Sequence, residues 1–332
     1  MRAIGYKTPG DINVLEDIEI EKPRASKKDL LVRIKAISIN PVDTKLRTAR
    51  TQTETDWQVL GYDASGIVEE CGEEVNNFKI GDEVFYAGDI SRSGTNAEYH
   101  LVDERIVGIK PKSLSHAKAA ALPLTSITAW EMLFNRLNVN NPTADGSDAI
   151  LIIGGAGGVG SITIQLLKTL TNLKVIATAS REESQSWVKE LGADFVVNHS
   201  KVLAPQIEEL GKPGFVFSTT QTDRHFEDIV ELIAPQGRFG LIDDPTELNV
   251  MPLKLKAISL HWELMFTRSL FNTSDIEEQG KLLNQVSKLV DEGKIKSTLT
   301  EIAGKIKAEN LKKAHEKIES GRAIGKIALE GF

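Results

Sequence analysis

The chain of 332 residues is long enough for about two domains, and with 41% hydrophobic and 26% charged residues it has the composition of a globular protein. Its 47 acidic and 40 basic residues leave a net charge of −7 without a run of lysines and arginines, so we expect no nucleic-acid partner, which would need a basic surface. The single cysteine, Cys71, excludes a disulfide within the chain and a four-cysteine zinc site.

The first residues lack the apolar stretch of a signal peptide. No run of about 18 apolar residues is present that would span a bilayer. These observations predict a soluble, reduced, cytoplasmic protein with no membrane partner.

About the first 120 residues have the pattern of short strands and turns. Between residues 30 and 36, apolar side chains alternate with a leucine, an arginine and a lysine, a period of two that is typical of a half-buried strand. Glycines at 61, 66, 72 and 81 then divide the sequence into short segments, as at the bends of a small barrel.

Helical spacing follows, and we expect Pro123 to divide it into two helices. From Asp148 onward, apolar strands alternate with helical segments, which predicts βαβ units and a parallel sheet covered on both faces. The segments GFVFSTT and GRFGLID are predicted as further strands of that sheet. Apolar stripes within 276–290 and 311–318 predict two more helices before a final strand, KIALE.

A glycine motif marks the first predicted turn of the parallel sheet. Gly155, Gly157 and Gly160, with Gly158 and Val159 between them, match G-x-G-x-x-G directly after an apolar strand and before a helix. In that context the glycines allow a tight turn and close approach of a dinucleotide pyrophosphate to the helix N-terminus. We therefore predict a nicotinamide dinucleotide site, with an empty glycine turn as the alternative.

The cofactor preference is predicted from the end of the next strand. Dinucleotide-binding proteins that prefer NAD place an acidic residue about 20 positions after the motif, whereas this chain has Ser180 and Arg181. A hydroxyl and a guanidinium suit the 2′-phosphate of NADPH. Glu182 and Glu183 follow and leave NADH as the alternative.

Several further segments carry a resemblance to a known family. The sequence resembles the medium-chain dehydrogenase/reductase superfamily over essentially its whole length, and within it the quinone oxidoreductase branch, which includes zinc-type alcohol dehydrogenase-like proteins. The matching segments are NPVDTK at 40–45, GYDASG at 61–66, GDEV at 81–84, LP at 122–123 through TAW at 128–130, the glycine motif, LGAD at 191–194 and GK at 325–326.

The resemblance implies an α/β fold with two domains. A GroES-like β-barrel catalytic domain would comprise residues 1–122 and 270–332, and a doubly wound Rossmann domain would comprise residues 123–269. It also implies a homodimer joined through the edges of the Rossmann sheets, with a contribution from residues 259–269.

The resemblance also implies cofactor contacts outside the motif. Those expected beside the cofactor are Thr128, Thr220, Leu241, Ile242 and Lys326. His199 stands where relatives commonly have a tyrosine near the 2′-phosphate. We expect His199 to donate to that phosphate, with an NADPH preference that weakens as the pH rises above the pKa of His199.

The residues at the zinc positions of the family do not suit zinc. Zinc alcohol dehydrogenases bind the catalytic ion through Cys, His and Cys with a Glu beside the His; here the corresponding residues are Asn40, Tyr62 and Leu124, with Asp63 beside Tyr62. An amide, a phenol and an aliphatic chain do not replace thiolates and imidazole. The four-cysteine structural zinc lobe is absent as well, so we predict no metal.

A zinc-free reductase is the expected function, with NADPH as the hydride donor. Quinones and α,β-unsaturated carbonyls accept hydride readily because the charge delocalises onto oxygen. We expect Tyr62 to donate a hydrogen bond to the developing oxyanion, or to be a pocket wall. Asn40 would offer its amide to substrate or to the nicotinamide ribose, and Asp43 would support the turn.

Two other functions remain open at this point. One is a zinc-dependent alcohol dehydrogenase, which the missing ligands disfavour. The other is a non-catalytic NADPH-binding protein, either a redox sensor or a structural protein. The glycine motif does not separate the reductase from the non-catalytic protein, because both bind the cofactor.

Overall fold

The computed structural model describes residues 1–49, 56–143 and 147–332. They form two compact units, Met1–Ile127 together with Phe266–Phe332, and Thr128–Met265. These divisions lie a few residues from the predicted boundaries after 122 and 269. The first unit is therefore assembled from both ends of the chain, and the second is inserted into it.

The first unit is built around a seven-stranded sheet. Its central strand, β3, pairs antiparallel with β5, β7 and β16. A separate sheet has the order β2-β1-β4. The strands of this unit are β1 (Arg2–Tyr6), β2 (Glu16–Glu19), β3 (Asp29–Ser38), β4 (Gln58–Val59), β5 (Ala64–Cys71), β6 (Glu83–Tyr86), β7 (Tyr99–Asp103), β8 (Val107–Ile109), β15 (Leu299–Ile302) and β16 (Lys326–Glu330).

The strand β3 is more buried than its alternating sequence predicts. Leu30, Leu31 and Val32 are all fully buried, although only one face of a half-buried strand would be. The register of β3 against β5 shifts between Leu31 and Val32 and again between Ile34 and Ala36. Such bulges bend and twist a strand, so that β3 is bonded to three other strands of the curved sheet.

Helices cover this sheet. The predicted division at Pro123 is confirmed, since α2 ends before it and α3 begins at it. The two amphipathic helices of the tail and the final strand are confirmed as well. The helices are α1 (Pro41–Ala49), α2 (His116–Ala120), α3 (Pro123–Trp130), α8 (Thr267–Leu270), α9 (Glu278–Asp291) and α10 (Ala308–Glu319).

The second unit contains a six-stranded parallel sheet in the order β11-β10-β9-β12-β13-β14. The strand order reverses between β9 and β12, which in doubly wound sheets is the switch point where ligands bind. Its elements are β9 (Ala149–Ile153), α4 (Gly158–Leu170), β10 (Lys174–Thr178), α5 (Glu182–Glu190), β11 (Phe195–Val197), α6 (Ala204–Ile207), β12 (Phe215–Ser218), α7 (Thr222–Leu232), β13 (Arg238–Leu241) and β14 (Ser259–Trp262).

The sequence explains this sheet well. Every residue of β9 is buried, as an unbroken apolar run predicts for a central parallel strand. Two features were not predicted: the outermost strand β14, and a π-helical turn over Glu131–Arg136. Among the described residues, no helix combines the length and the apolar character needed to cross a bilayer.

Candidate active site

The glycine motif lies in the turn between β9 and α4. Gly154 has a φ of +80°, a conformation that favours glycine. A Cβ at Gly160 would clash with the carbonyl oxygen of Gly154 and lie 2.7 Å from the Cα of Gly155. A Cβ at Gly155 would lie 2.9 Å from the Cβ of Ala177. The turn is therefore too tight for side chains at 155 and 160.

Gly157 has a different role. The nearest atom to a Cβ at this position would be 3.6 Å away, so the fold itself does not require a glycine there. Gly157 is the N-cap of α4 and brings no side chain to cap it. The bare N-terminal turn of a 13-residue helix suits an anion, so these residues fit a dinucleotide pyrophosphate.

The end of β10 carries the residues predicted to select the cofactor. Ser180 is half-buried and Arg181 is exposed. The backbone N–H of Arg181 donates to Ser184 Oγ at 3.1 Å, and that hydroxyl donates to the carbonyl oxygen of Arg181 at 2.8 Å. The first turn of α5 thus fixes the backbone of Arg181 and leaves its guanidinium at the surface.

His199 is held beside the glycine turn by Thr178. The backbone N–H of Gly154 donates to Thr178 Oγ1 at 2.9 Å, and the same oxygen lies 2.9 Å from His199 Nδ1. The direction of the bond between Thr178 Oγ1 and Nδ1 depends on the tautomer of His199: where the hydroxyl donates, the ring hydrogen of neutral His199 is on Nε2. Burial, with nearby His225, Arg224 and Arg181, lowers the pKa of His199 below its usual 6.5.

The other predicted cofactor residues are scattered over the same unit. Thr220 is exposed in the loop after β12, and Ile242 is half-buried after β13. Thr128 is almost fully buried. The side chain of Leu241 is wholly buried in the core of the unit, so its predicted contact with the cofactor would involve its backbone.

In the first unit, Asn40 and Lys326 lie in one buried polar network around Asp63. Asp63 Oδ2 accepts hydrogen bonds from Ser38 Oγ at 3.0 Å and from Asn40 Nδ2 at 2.8 Å, and it lies 3.1 Å from Lys326 Nζ. Asp63 Oδ1 accepts from the backbone N–H of Leu124 at 2.8 Å. Asp63 is fully buried, and Asn40 and Lys326 are nearly so.

All three hydrogens of the Lys326 ammonium have acceptors within the protein. They are Asp63 Oδ2, Asn40 Oδ1 and the carbonyl oxygen of Ile39, the last at 2.8 Å. This ammonium therefore has no hydrogen left to donate to a ligand, and its expected place beside the cofactor stays a prediction. Asn40 uses its oxygen and one amide hydrogen within the network, so it can position Asp63, and its expected contact with substrate or the nicotinamide ribose stays a prediction.

The network contains two buried carboxyl groups, those of Asp63 and Asp43, but one ammonium, that of Lys326. Burial raises the pKa of Asp63, and Lys326 opposes that shift. Burial lowers the pKa of Lys326, and Asp63 opposes that shift. Asp43, which accepts a hydrogen bond from the backbone N–H of Asn40 at 2.7 Å, is a second buried carboxyl; burial raises its pKa to about 7. Asp43 therefore supports the turn, as predicted.

Tyr62 precedes Asp63 in the chain and is 1% exposed. Its ring meets that of Phe266 edge to face, with 5.3 Å between the centroids. This contact fixes the ring plane, which is a requirement for a positioned hydrogen-bond donor and equally for a pocket wall.

The residues at the zinc positions do not fit zinc. The amide of Asn40 is hydrogen-bonded to Asp63 and Lys326. Leu124 donates its backbone N–H to Asp63. The ammonium of Lys326 is the cation beside the Asp63 carboxylate. Among the described residues, no group of three or more His, Cys, Asp and Glu side chains is arranged to hold a metal ion. A buried ammonium is an unsuitable neighbour for a divalent cation, because like charges repel.

Sequence reasoning missed one pairing and three residues. Lys326 and Asp63 are far apart in the chain, and no local pattern reveals their pairing. The residues that escaped notice are Thr178, Arg224 and His225. For Arg224 and His225, two basic side chains at the start of the helix after β12 would have been a usable signal, because strand ends meet at one edge of a parallel sheet.

Two family models match the chain. One describes an alcohol dehydrogenase GroES-like domain and matches residues 26–116; the other describes a zinc-binding dehydrogenase and matches residues 158–285. A zinc-type alcohol dehydrogenase-like protein of Staphylococcus aureus is 39% identical over 99% of both chains. A 2-methylene-furan-3-one reductase of Solanum lycopersicum is 30% identical over 99% of this chain and 79% of its own length.

Solved structures of other proteins have the same fold as this chain over its full length. A Rhizobium etli protein, described as a candidate zinc-dependent alcohol dehydrogenase, is 58% identical with a TM-score of 0.98, covering 100% of this chain and 98% of that one. The quinone oxidoreductase of Coxiella burnetii is 28% identical with a TM-score of 0.84, covering 100% of this chain and 99% of that one.

Proposed function

Because the chain belongs to the medium-chain dehydrogenase/reductase superfamily of oxidoreductases, we propose that it is a zinc-independent, NADPH-dependent reductase of quinones or α,β-unsaturated carbonyls. The observation that carries this proposal is the Asn40–Asp63–Lys326 network. Asn40 stands at a zinc-ligand position of the family and Asp63 at the position of the neighbouring Glu, and both are bonded to the buried ammonium of Lys326. This region of the fold therefore contains a cation without a metal ion.

The absence of suitable zinc ligands limits the substrates. A simple ketone needs an electrophile that polarises its oxygen, as zinc does in related enzymes. A quinone or an enone spreads the incoming charge through conjugation and needs less help. The Coxiella quinone oxidoreductase and the tomato furanone reductase support this substrate class by their names and similarity.

The cofactor preference is supported by charge. Ser180 and Arg181 replace the usual acidic residue at the end of β10. With the Thr178 hydroxyl as donor to Nδ1, neutral His199 would present an Nε2 hydrogen. Since this donor would exist on the neutral ring, His199 would not need to be protonated to bind a phosphate. The expected loss of NADPH preference above the pKa of His199 would therefore be weaker than the sequence alone predicted.

The protein side of the reaction is orientation and proton supply. Bound NADPH would supply the hydride. The turn at Gly155–Gly160 and the N-terminus of α4 would hold the pyrophosphate. Tyr62, fixed against Phe266, would donate a hydrogen bond to the acceptor oxygen as negative charge develops. Asn40 and Lys326 would keep the Asp63 carboxylate in place beneath it.

We also propose a cytoplasmic homodimer. The strand β14 is the outermost strand of the parallel sheet, and the side chains of Trp262 and Leu264 are half exposed beside it. An open strand edge with exposed apolar side chains favours pairing with a second copy.

The proposal is tested by following oxidation of NADPH and of NADH with a reactive ortho-quinone, using chelator-treated protein. We expect rapid consumption of NADPH and much slower consumption of NADH. Activity that appears only after zinc is added would support the alcohol dehydrogenase alternative. Tight NADPH binding without turnover of quinones or enones would support the non-catalytic sensor.

A further inference from the structure

We propose that Arg224 and His225, in the first turn of α7, form the second side of the 2′-phosphate site of NADPH, facing Arg181 and His199. This inference rests on the NADPH preference proposed above. It adds α7, the helix that follows β12, to a site that the sequence predicts only at the ends of β10 and β11.

Four basic side chains lie in this region, at the end of β10, after β11 and in the first turn of α7. The rings of His199 and His225 have their centroids 6.0 Å apart. The charges of Arg181 and Arg224, as well as His225, act on His199 closely enough to help lower its pKa. Clustered cations repel one another unless an anion lies between them. A phosphate, with two negative charges and several acceptor oxygens, is the anion that suits two guanidiniums and two imidazoles.

His225 is the buried member of this cluster. It is 5% exposed, and within the described chain neither of its ring nitrogens is hydrogen-bonded. Burial and the charge of Arg224 lower its pKa, opposed by Asp228 and Asp223. Neither ring nitrogen of His225 is among the fully buried side-chain atoms that lack a partner, so these nitrogens reach the surface, where a ligand or a water molecule can bind them.

The position of Arg224 also points to an anion. It is the third residue of α7, where the positive end of the helix dipole disfavours a cation. Gln221, the N-cap residue of α7, has a φ of +50°, a conformation that costs energy for a residue with a Cβ. Within the described part of the chain, the guanidinium of Arg224 makes a single hydrogen bond, and it is long, 3.4 Å from Nη1 to Gln221 Oε1. A bound phosphate would offset the unfavourable placement of this guanidinium.

Acidic groups lie in the same segments as this cluster. Asp223 accepts a hydrogen bond from the backbone N–H of Arg224 at 3.0 Å, and Asp228 acts on His225. Glu182 and Glu183 follow Arg181 and are exposed. The NADH alternative would need one of these carboxylates to reach the ribose, whereas the two arginines and two histidines favour the phosphate.

The test compares binding of 2′,5′-ADP with binding of 5′-AMP by calorimetry, and KM for NADPH with KM for NADH. In Arg224→Ala we expect the affinity for 2′,5′-ADP to fall about tenfold or more and that for 5′-AMP to stay the same. Because Arg224 is exposed, the variant should keep the melting temperature. Lys189→Ala, which removes an exposed cation at the far end of α5, is the matched control and should change nothing.

The outcomes separate the two proposals. If Arg181→Ala weakens 2′,5′-ADP binding and Arg224→Ala does not, the inference on α7 is wrong and the NADPH preference stands. If the wild-type protein binds 5′-AMP as tightly as 2′,5′-ADP, the NADPH preference itself is wrong. Equal weakening of both nucleotides by Arg224→Ala would assign Arg224 a structural role and overturn the inference.

Discussion

Replacing Lys326 by methionine should destabilise the first unit strongly. The substitution keeps the length of the side chain and removes the ammonium, so Asp63 remains fully buried without its cation. Breaking a buried ion pair by removing one partner costs about 3–5 kcal/mol. For a unit of roughly 200 residues, each kcal/mol lowers the melting temperature by about 2–4 °C, which predicts a decrease of about 6–20 °C.

The assay is thermal unfolding of four proteins: wild type, Lys326→Met, Asp63→Asn and the double variant. In the double variant neither buried charge remains, so its melting temperature should lie above that of both single variants. Lys313→Met is the matched control, because Lys313 pairs with Glu309 at 2.8 Å on the surface of α10. An exposed pair contributes about 0–1 kcal/mol, and we expect almost no shift.

Two results would refute this reasoning. If Lys326→Met melts within a degree or two of the control, the buried pair does not stabilise the unit. If the double variant is no more stable than the single ones, the two charges are not coupled, and the network is only a set of separate hydrogen bonds.

Three further predictions concern other sites. Gly160→Ala should lower both the melting temperature and the cofactor affinity, because a Cβ at 160 would clash with the turn, whereas Gly157→Ala should lower only the cofactor affinity. If the two variants have the same melting temperature, the clash at 160 does not destabilise the fold. Burial and the nearby Glu131 raise the pKa of Glu263 to about 8 from 4.5. Between these two pH values the native state therefore keeps a proton on Glu263 that the unfolded state loses. The free energy of unfolding should fall as the pH rises from 4.5 to 8, by at most about 1.4 kcal/mol per pH unit. Urea unfolding at several pH values should show that Glu263→Gln flattens this decline. Tyr62→Phe should reduce steady-state turnover more than tenfold at an unchanged melting temperature, and unaltered turnover would make Tyr62 a pocket wall.

The sequence predicts the elements whose signal is local. The buried run of β9, the glycine turn and the break at Pro123 all depend on neighbouring residues, and the structure has each of them. The strand β14 was missed because SLHW is short and lies at the sheet edge, where a strand is half exposed and lacks an apolar run. The burial of β3 was underestimated because it depends on three partners that are distant in sequence.

The candidate site shows the same limit more sharply. Asn40 and Lys326 were identified from their motifs, but their hydrogen bonds to Asp63 were not, and these bonds use groups that the sequence alone leaves available to a ligand. Residue identity predicts what a side chain can donate or accept. It does not predict whether the rest of the chain supplies the partner first.

The divided first unit has a consequence for synthesis on the ribosome. The strand β16 pairs with β3, and Lys326 within it is the only cation bonded to Asp63 in the described network, yet both follow the whole of Thr128–Met265 in the chain. Domains fold as units during translation. The inserted unit is therefore fully synthesised and can fold before β16, the last strand of the first unit, has been made. Until residue 326 emerges, Asp63 has no counter-charge to be buried with. The order of folding is thus the reverse of the order in which the two units begin.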